Sequence, residues 1–225
     1  MVSPYLQFKE HLNQESIRLK RDPASVYLVA ASKYADAPTM RILFNEGQKD
    51  FGENRLQDAV PKMEALSDLD ITWHFIGHIQ TNKVNKIADF FSVVHSVDSL
   101  KVASLLNKFC GEKNKMMKAF IQVNLCREPS KSGYEKSALM NEFPQMLILK
   151  HISWQGLMMM TPLEATSCEK RLYFGQLREL KEELNKQFGA GMRFLSMGMS
   201  DDWKEALAEA ATHLRVGRAL FSQPR

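Results

Sequence analysis

The chain has 225 residues, a formal net charge of +4, and 44% hydrophobic against 25% charged residues. That length suits one large domain or two small ones, and the composition is that of an ordinary globular protein. No apolar run approaches the ~18 residues a membrane span needs, so no membrane partner is expected. The three cysteines, Cys110, Cys126 and Cys168, are widely spaced and never form a C-x-x-C pair. They give neither a disulfide framework nor a zinc pattern, and a reducing cytoplasm is the expected location.

Residues 1–21 mix Lys9, Glu10, Glu15, Arg18 and Lys20 with apolar side chains. They read as an amphipathic helix and not as a signal peptide, which needs an uncharged apolar core. Residues 26–32 form a continuous apolar run bounded by Pro23 and Pro38, which reads as a strand buried on both faces. A helix is expected at 39–45, opened by Pro38 and closed by Gly47. A short strand follows at 49–52, then helical material over 55–66, broken or kinked at Pro61.

Residues 71–76 are the third strand, followed by a helix over 81–88. Residues 91–95 are the fourth, followed by a helix over 99–109. Lys108, Lys113, Lys115 and Lys118 cluster here without interleaved aromatic residues, so they read as a solvated loop, and no nucleic acid is expected as a partner. Residues 118–125 are the fifth strand, with helical and connecting material over 137–149. The sixth strand spans 151–159, the longest helix 170–188, the seventh strand 192–197, a helix 201–211 and the eighth strand 214–216. Eight strands alternating with helices, without a linker, predict an α/β fold: one (β/α)8 TIM barrel over 1–225 with an extra N-terminal helix. An open doubly wound sheet is the alternative, but no G-x-G-x-x-G or P-loop sequence accompanies it.

Polar residues fall at the predicted strand ends, the face on which a barrel carries its site. Lys33 closes the first strand, Glu53-Asn54-Arg55 follow the second, and Gly77-His78 follow the third. His95-Ser96 end the fourth, and Asn124 lies near the end of the fifth. Taken singly, each has a plain reading: Lys33 as a surface lysine, Asn54 as an N-cap for the following helix. A lysine in apolar surroundings loses hydration and can form a Schiff base with an aldehyde.

The loop Met197-Gly198-Met199-Ser200-Asp201-Asp202 leads into a helix for which Ser200 or Asp201 would be the N-cap, with free N–H groups suited to an anion. Gly217 allows close backbone approach and Arg218 adds a donor fork. Loops seven and eight of a barrel often hold phosphate. An amine at strand one facing such a cradle outlines pyridoxal 5′-phosphate (PLP). His74 and His78 straddle a strand end without a completing carboxylate or cysteine, so no metal is expected. Residues 157–160 read as core filler. Lys131 is a second amine that an aldehyde could reach.

At these residues the chain resembles the pyridoxal-phosphate homeostasis proteins, whose barrel is similar to the N-terminal barrel of alanine racemase. The matching stretches are Val29-Ala30-Ala31-Ser32-Lys33, Phe51-Gly52-Glu53-Asn54-Arg55, Trp73-His74-Phe75-Ile76-Gly77-His78-Ile79-Gln80 with Asn82-Lys83, and His95-Ser96-Val97-Asp98. Ile121-Gln122-Val123-Asn124, Lys131-Ser132-Gly133, Gly156-Leu157-Met158, Leu195-Ser196-Met197-Gly198-Met199-Ser200 and Val216-Gly217 continue the match.

The resemblance implies that Lys33 is the Schiff-base lysine. It implies that Ser196 to Ser200, Gly217 and Arg218 bind the phosphate and that Arg215 faces the pyridine nitrogen. With Asn54, the expected PLP-binding residues are therefore Lys33, Asn54, Ser196, Met199, Ser200, Arg215, Gly217 and Arg218. The stretch Tyr34-Ala35-Asp36-Ala37-Pro38 is longer than the family's usual Thr-Lys-Pro. Arg218 replaces a small hydroxyl residue, and Ser222 stands where glycine is usual.

Three functions compete. One is a non-catalytic PLP carrier in intracellular PLP homeostasis, a monomer whose partners are PLP and PLP-dependent apoenzymes. Another is a PLP-dependent amino-acid racemase, which needs a base on each face of the substrate α-carbon. With the eighth strand expected to end close to Arg225, the additional domain that supplies alanine racemase with its second base is not expected here. The third is a PLP-independent aldolase-type enzyme using Lys33.

Overall fold

The computed structural model describes residues 2–126 and 132–221. Lys131 and Ser222, both singled out above, lie outside them. Eight parallel strands close into a barrel in sequence order: β1 (Tyr27–Ala31), β2 (Asp50–Glu53), β3 (Thr72–Phe75), β4 (Val93–Val97), β5 (Met117–Gln122), β6 (Ile152–Met158), β7 (Phe194–Ser196) and β8 (His213–Val216). β1 closes on β8, with Val29 opposite Arg215 and Ala30 opposite Val216.

Outside the strands lie α1 (Pro4–Arg18), α2 (Ala37–Asn45), α3 (Leu56–Ala65), α4 (Val84–Phe90), α5 (Leu100–Glu112), α6 (Lys136–Leu147), α7 (Ser167–Phe188), α8 (Trp203–Ala208) and α9 (Arg218–Phe221). The open-sheet alternative is excluded by the β1–β8 ladder. The extra helix α1 packs Phe8 edge-on against Trp203, ring centroids 5.2 Å apart.

The apolar runs become strands because helices cover their outer faces and side chains fill the barrel interior. Val93, Phe120 and Met158 form a small buried cluster in that interior, with Phe194 and Met160 against it. Helix boundaries follow local chemistry. Ser99 caps α5 by accepting from the Val102 N–H, and Thr166 with Glu169 makes a reciprocal capping box on α7.

Several expectations need correction. α3 runs through Pro61 unbroken. α8 is only six residues long and ends before Ala210, whose φ of +68° is left-handed. The short helix α9 has no counterpart among the expected elements. The expected lysine loop is tied down: Lys113 pairs with Asp89 at 2.8 Å, and the Lys115 ammonium donates to the carbonyls of Ala88 and Phe91. These lysines hold the C-terminal end of α4.

Candidate functional site

The carboxyl ends of β7, β8 and β1 meet at one sector of the rim. β1 ends at Ala31, so Lys33 lies two residues beyond the strand and not on its last position. Its side chain is exposed, with the amine 4.9 Å from the centre of the Tyr34 ring. The desolvated lysine expected from the apolar run is therefore not what the site presents. The turn is held from below, where the Ser32 hydroxyl donates to Glu53 Oε1 at 2.7 Å.

Gly217 directly follows β8, and a Cβ there would sit 3.0 Å from the Ala31 carbonyl oxygen. The chain after β8 thus packs against the last residue of β1. Gly198 has φ +93°, and a Cβ there would come within 2.6 Å of the Ala206 Cβ. Only glycine suits that left-handed turn, which folds the loop after β7 onto β8: the Arg215 N–H donates to the Gly198 carbonyl at 2.9 Å.

Within this loop the expected anion donors separate. The Met199 N–H is taken by Asp202 Oδ1 at 2.6 Å, while Thr161 donates to Asp202 Oδ2 at 2.7 Å. Asp202, and not Ser200 or Asp201, is the residue preceding α8. The Arg218 guanidinium pairs with the Asp201 carboxylate across the two loops, both side chains exposed. The Ser200 hydroxyl has no hydrogen-bond partner among the described residues. It is half-buried and remains the free donor of the set.

Ser196 is not a loop residue. It is the last residue of β7, fully buried, and it accepts from Arg215 Nη1 at 2.6 Å. Arg215 Nη2 donates to the Met159 carbonyl at 3.0 Å. Burial lowers the Arg215 pKa to about 10, and the Asp202 carboxylate opposes the shift. The guanidinium stays cationic at neutral pH. Asn54 directly follows β2, the strand that neighbours β1 on the side away from β8, and does not cap α3, whose N-cap is Arg55 without a side-chain bond. It borders a cleft of about 600 Å³ shared with Arg55, His78 and Lys83. There a Cβ on Gly77 would overlap the Asn54 carbonyl.

Sequence reasoning missed what lies beneath Arg215. His95 Nδ1 is 2.7 Å from Ser196 Oγ, and its Nε2 is 2.9 Å from His74 Nδ1. His74 Nε2 is 2.9 Å from Asp50 Oδ1. Burial first, and then the positive charge of Arg215 and that which His74 and His213 would carry if protonated, hold the His95 pKa well below the ordinary imidazole value. His213, in the same interior, is lowered to about 3, chiefly by burial. Side-chain alternation was the available signal: His74 and His95 share the inward parity of their strands. His78, by contrast, is at the rim, 3.3 Å from Asp98.

The residues present fit PLP. An accessible amine, a glycine-shaped cradle with an unpartnered hydroxyl, and a buried guanidinium converge where β1, β7 and β8 end. That donor set suits an aldehyde, a phosphate dianion and a ring nitrogen.

Comparison with known proteins accords with this. The model of the alanine racemase N-terminal domain family matches residues 19–224. A pyridoxal phosphate homeostasis protein of Synechocystis is 40% identical over 200 residues, covering 88% of this chain and 92% of that protein. The structure of PipY from Synechococcus elongatus with PLP bound is 39% identical with a TM-score of 0.86, covering 94% of this chain and all of that one. An alanine racemase of Clostridium difficile shares the fold alone, at 12% identity and TM-score 0.69, covering 96% of this chain and 57% of that one. The chain belongs to the alanine racemase N-terminal domain family, and within it to the pyridoxal phosphate homeostasis proteins.

Proposed function

We propose that this protein binds PLP at the β1–β7–β8 rim and takes part in PLP homeostasis as a non-catalytic carrier, one binding domain spanning the chain. The observation that carries the reading is the closure of the barrel itself. Gly217 against Ala31 brings the loops after β7 and β8 beside the turn that presents Lys33. When bound, PLP supplies an aldehyde that condenses with an amine and releases water. Lys33 is the amine in reach of solvent, Ser200 binds the phosphate, and Arg215 donates to the pyridine nitrogen. Ser196, Met159 and Asp202 orient that sector without facing the ligand. Met199 and Arg218 serve the loop: one through its N–H to Asp202, the other through its bond to Asp201. Asn54, directly after β2, flanks the same sector on the side of β1 away from β8.

Ser200→Ala tests the phosphate end. Losing a hydrogen bond to a charged group costs roughly 1.5–3 kcal/mol, about tenfold to a hundredfold in affinity. Absorbance titrations are expected to show that loss for PLP and almost none for pyridoxal, which has no phosphate. Equal losses for both ligands would place the phosphate elsewhere.

The carrier reading also predicts poor racemisation. Arg215 remains a cation near pH 7 and has only protons to donate, so it leaves the pyridine nitrogen unprotonated and the ring a weak electron acceptor. Holoprotein incubated with D- or L-alanine in heavy water should exchange the α-proton far below ordinary enzymatic rates of about 1–10³ s⁻¹. Exchange within that range that vanishes in Lys33→Ala would establish the racemase instead.

A further inference from the structure

Asp50 begins β2, at the mouth of the barrel opposite the PLP rim. Its side chain is one-third exposed and borders a cleft of about 370 Å³ with Tyr5, Lys9, Lys49 and Tyr27. From there the side chains of His74, His95 and Ser196 run through the interior to Arg215, each within 2.9 Å of the next. The His95 ring is clamped in place by stacking on Phe120, centroids 4.5 Å apart. We propose that Asp50 is a positioning residue for the cofactor site at the other mouth, acting through His74, His95 and Ser196 on Arg215.

The proton positions supply the reason. A carboxylate only accepts, so His74 Nε2 carries a hydrogen. With His74 neutral, its Nδ1 accepts and His95 Nε2 donates to it. His95 Nδ1 then accepts from the Ser196 hydroxyl, whose oxygen accepts from Arg215. Every donor points the same way, from a cation at the rim to an anion at the floor. This arrangement polarises each bond in the sense that strengthens the next. It also turns the Ser196 hydrogen away from Arg215, so the guanidinium meets only acceptors on that side. A second proton on His74 reverses the bonds to His95 and Ser196 and offers a hydrogen from His95 to Ser196 instead. Asp50 therefore selects which face Ser196 turns to Arg215.

The inference rests on the reading that Arg215 faces PLP, and the test separates the two. Side-chain nitrogen NMR of the free protein labelled with ¹⁵N-histidine should show His95 as one tautomer, bare at Nδ1 and protonated at Nε2. In Asp50→Asn, whose amide can donate as well as accept, the His74 and His95 signals should move towards the reverse tautomer. PLP affinity should fall about tenfold, the ratio one modest hydrogen-bond change gives. Asp50→Glu, which keeps the carboxylate, should restore the His95 pattern. Wild-type His95 protonated at Nδ1 would overturn the relay even if Asp50→Asn fails to fold. So would an Asp50→Asn protein with an unchanged His95 pattern, or with an altered pattern and PLP affinity within twofold of wild type. Arg215→Lys with undiminished PLP affinity would instead remove Arg215 from the cofactor site and leave the wild-type ring pattern standing.

Discussion

Lys33→Ala should abolish covalent retention of PLP while leaving the barrel folded. The substitution falls beyond the end of β1, on an exposed side chain whose amine lies over the Tyr34 ring. Surface changes of this kind stay within about 0.5 kcal/mol, a shift of roughly 2 °C at most for a chain of this size. The effect on the cofactor is all or none, because Lys62, the amine that borders the same turn among the described residues, is occupied. Lys62 Nζ donates to the Ser32 carbonyl and to Glu53 Oε1, both at 2.8 Å, and an ammonium held as a buried ion-pair partner is no nucleophile. Borohydride reduction of wild-type holoprotein followed by peptide mass spectrometry should place the phosphopyridoxyl group on Lys33. The same treatment of Lys33→Ala should leave no label at the rim. A label found only on Lys131 or another lysine sinks the assignment.

The barrel was legible because its determinants are local and repeated. Apolar runs of strand length alternate with amphipathic stretches, and that alternation implies parallel strands with helical crossovers. The rim glycines and Lys33 were legible for the same reason: they follow strands. What failed depended on where a strand stops and which way a side chain points. Ending the fourth strand at His95 made that residue a rim group. The strand in fact continues to Val97, which places His95 in mid-strand and inside the barrel. Ser196 likewise looked like the start of a phosphate loop and is the last inward-facing residue of β7. The Met199 N–H and the Arg218 guanidinium are donors suited to a phosphate, and the structure adds that Asp202 and Asp201 engage them. Partners 3 and 17 positions apart in the chain leave no periodic trace in a sequence. Asp50 was invisible for a deeper reason, since its connection to the site runs through β3, β4, β7 and β8 and exists only once those four strands have closed around the interior.

Lys62→Met should destabilise the fold far more than Lys33→Ala or Ser200→Ala. Glu53 is wholly buried at the end of β2, and Lys62 reaches it from α3 with its side chain 14% exposed. Glu53 Oε1 accepts from both Lys62 and Ser32, while Oε2 has no partner among the described residues. The carboxylate therefore depends on one ammonium for its charge balance. Removing one member of a buried pair typically costs about 3–5 kcal/mol, because the remaining charge is left uncompensated in a medium that solvates it poorly. For a chain of this length that is on the order of 10 °C in melting temperature. Urea titrations should show a lower midpoint with an unchanged slope, the signature of lost stability and not of a different unfolded state. The double variant Glu53→Leu with Lys62→Met should recover most of the loss, since an apolar pair of similar volume avoids both desolvation costs. A single-variant loss below about 0.5 kcal/mol, the range of ordinary surface changes, would mean that water or a neighbouring group already balances Glu53. Because Glu53 also accepts from Ser32, directly before Lys33, the single variant should loosen the cofactor turn. PLP affinity is expected to fall in Lys62→Met through that turn.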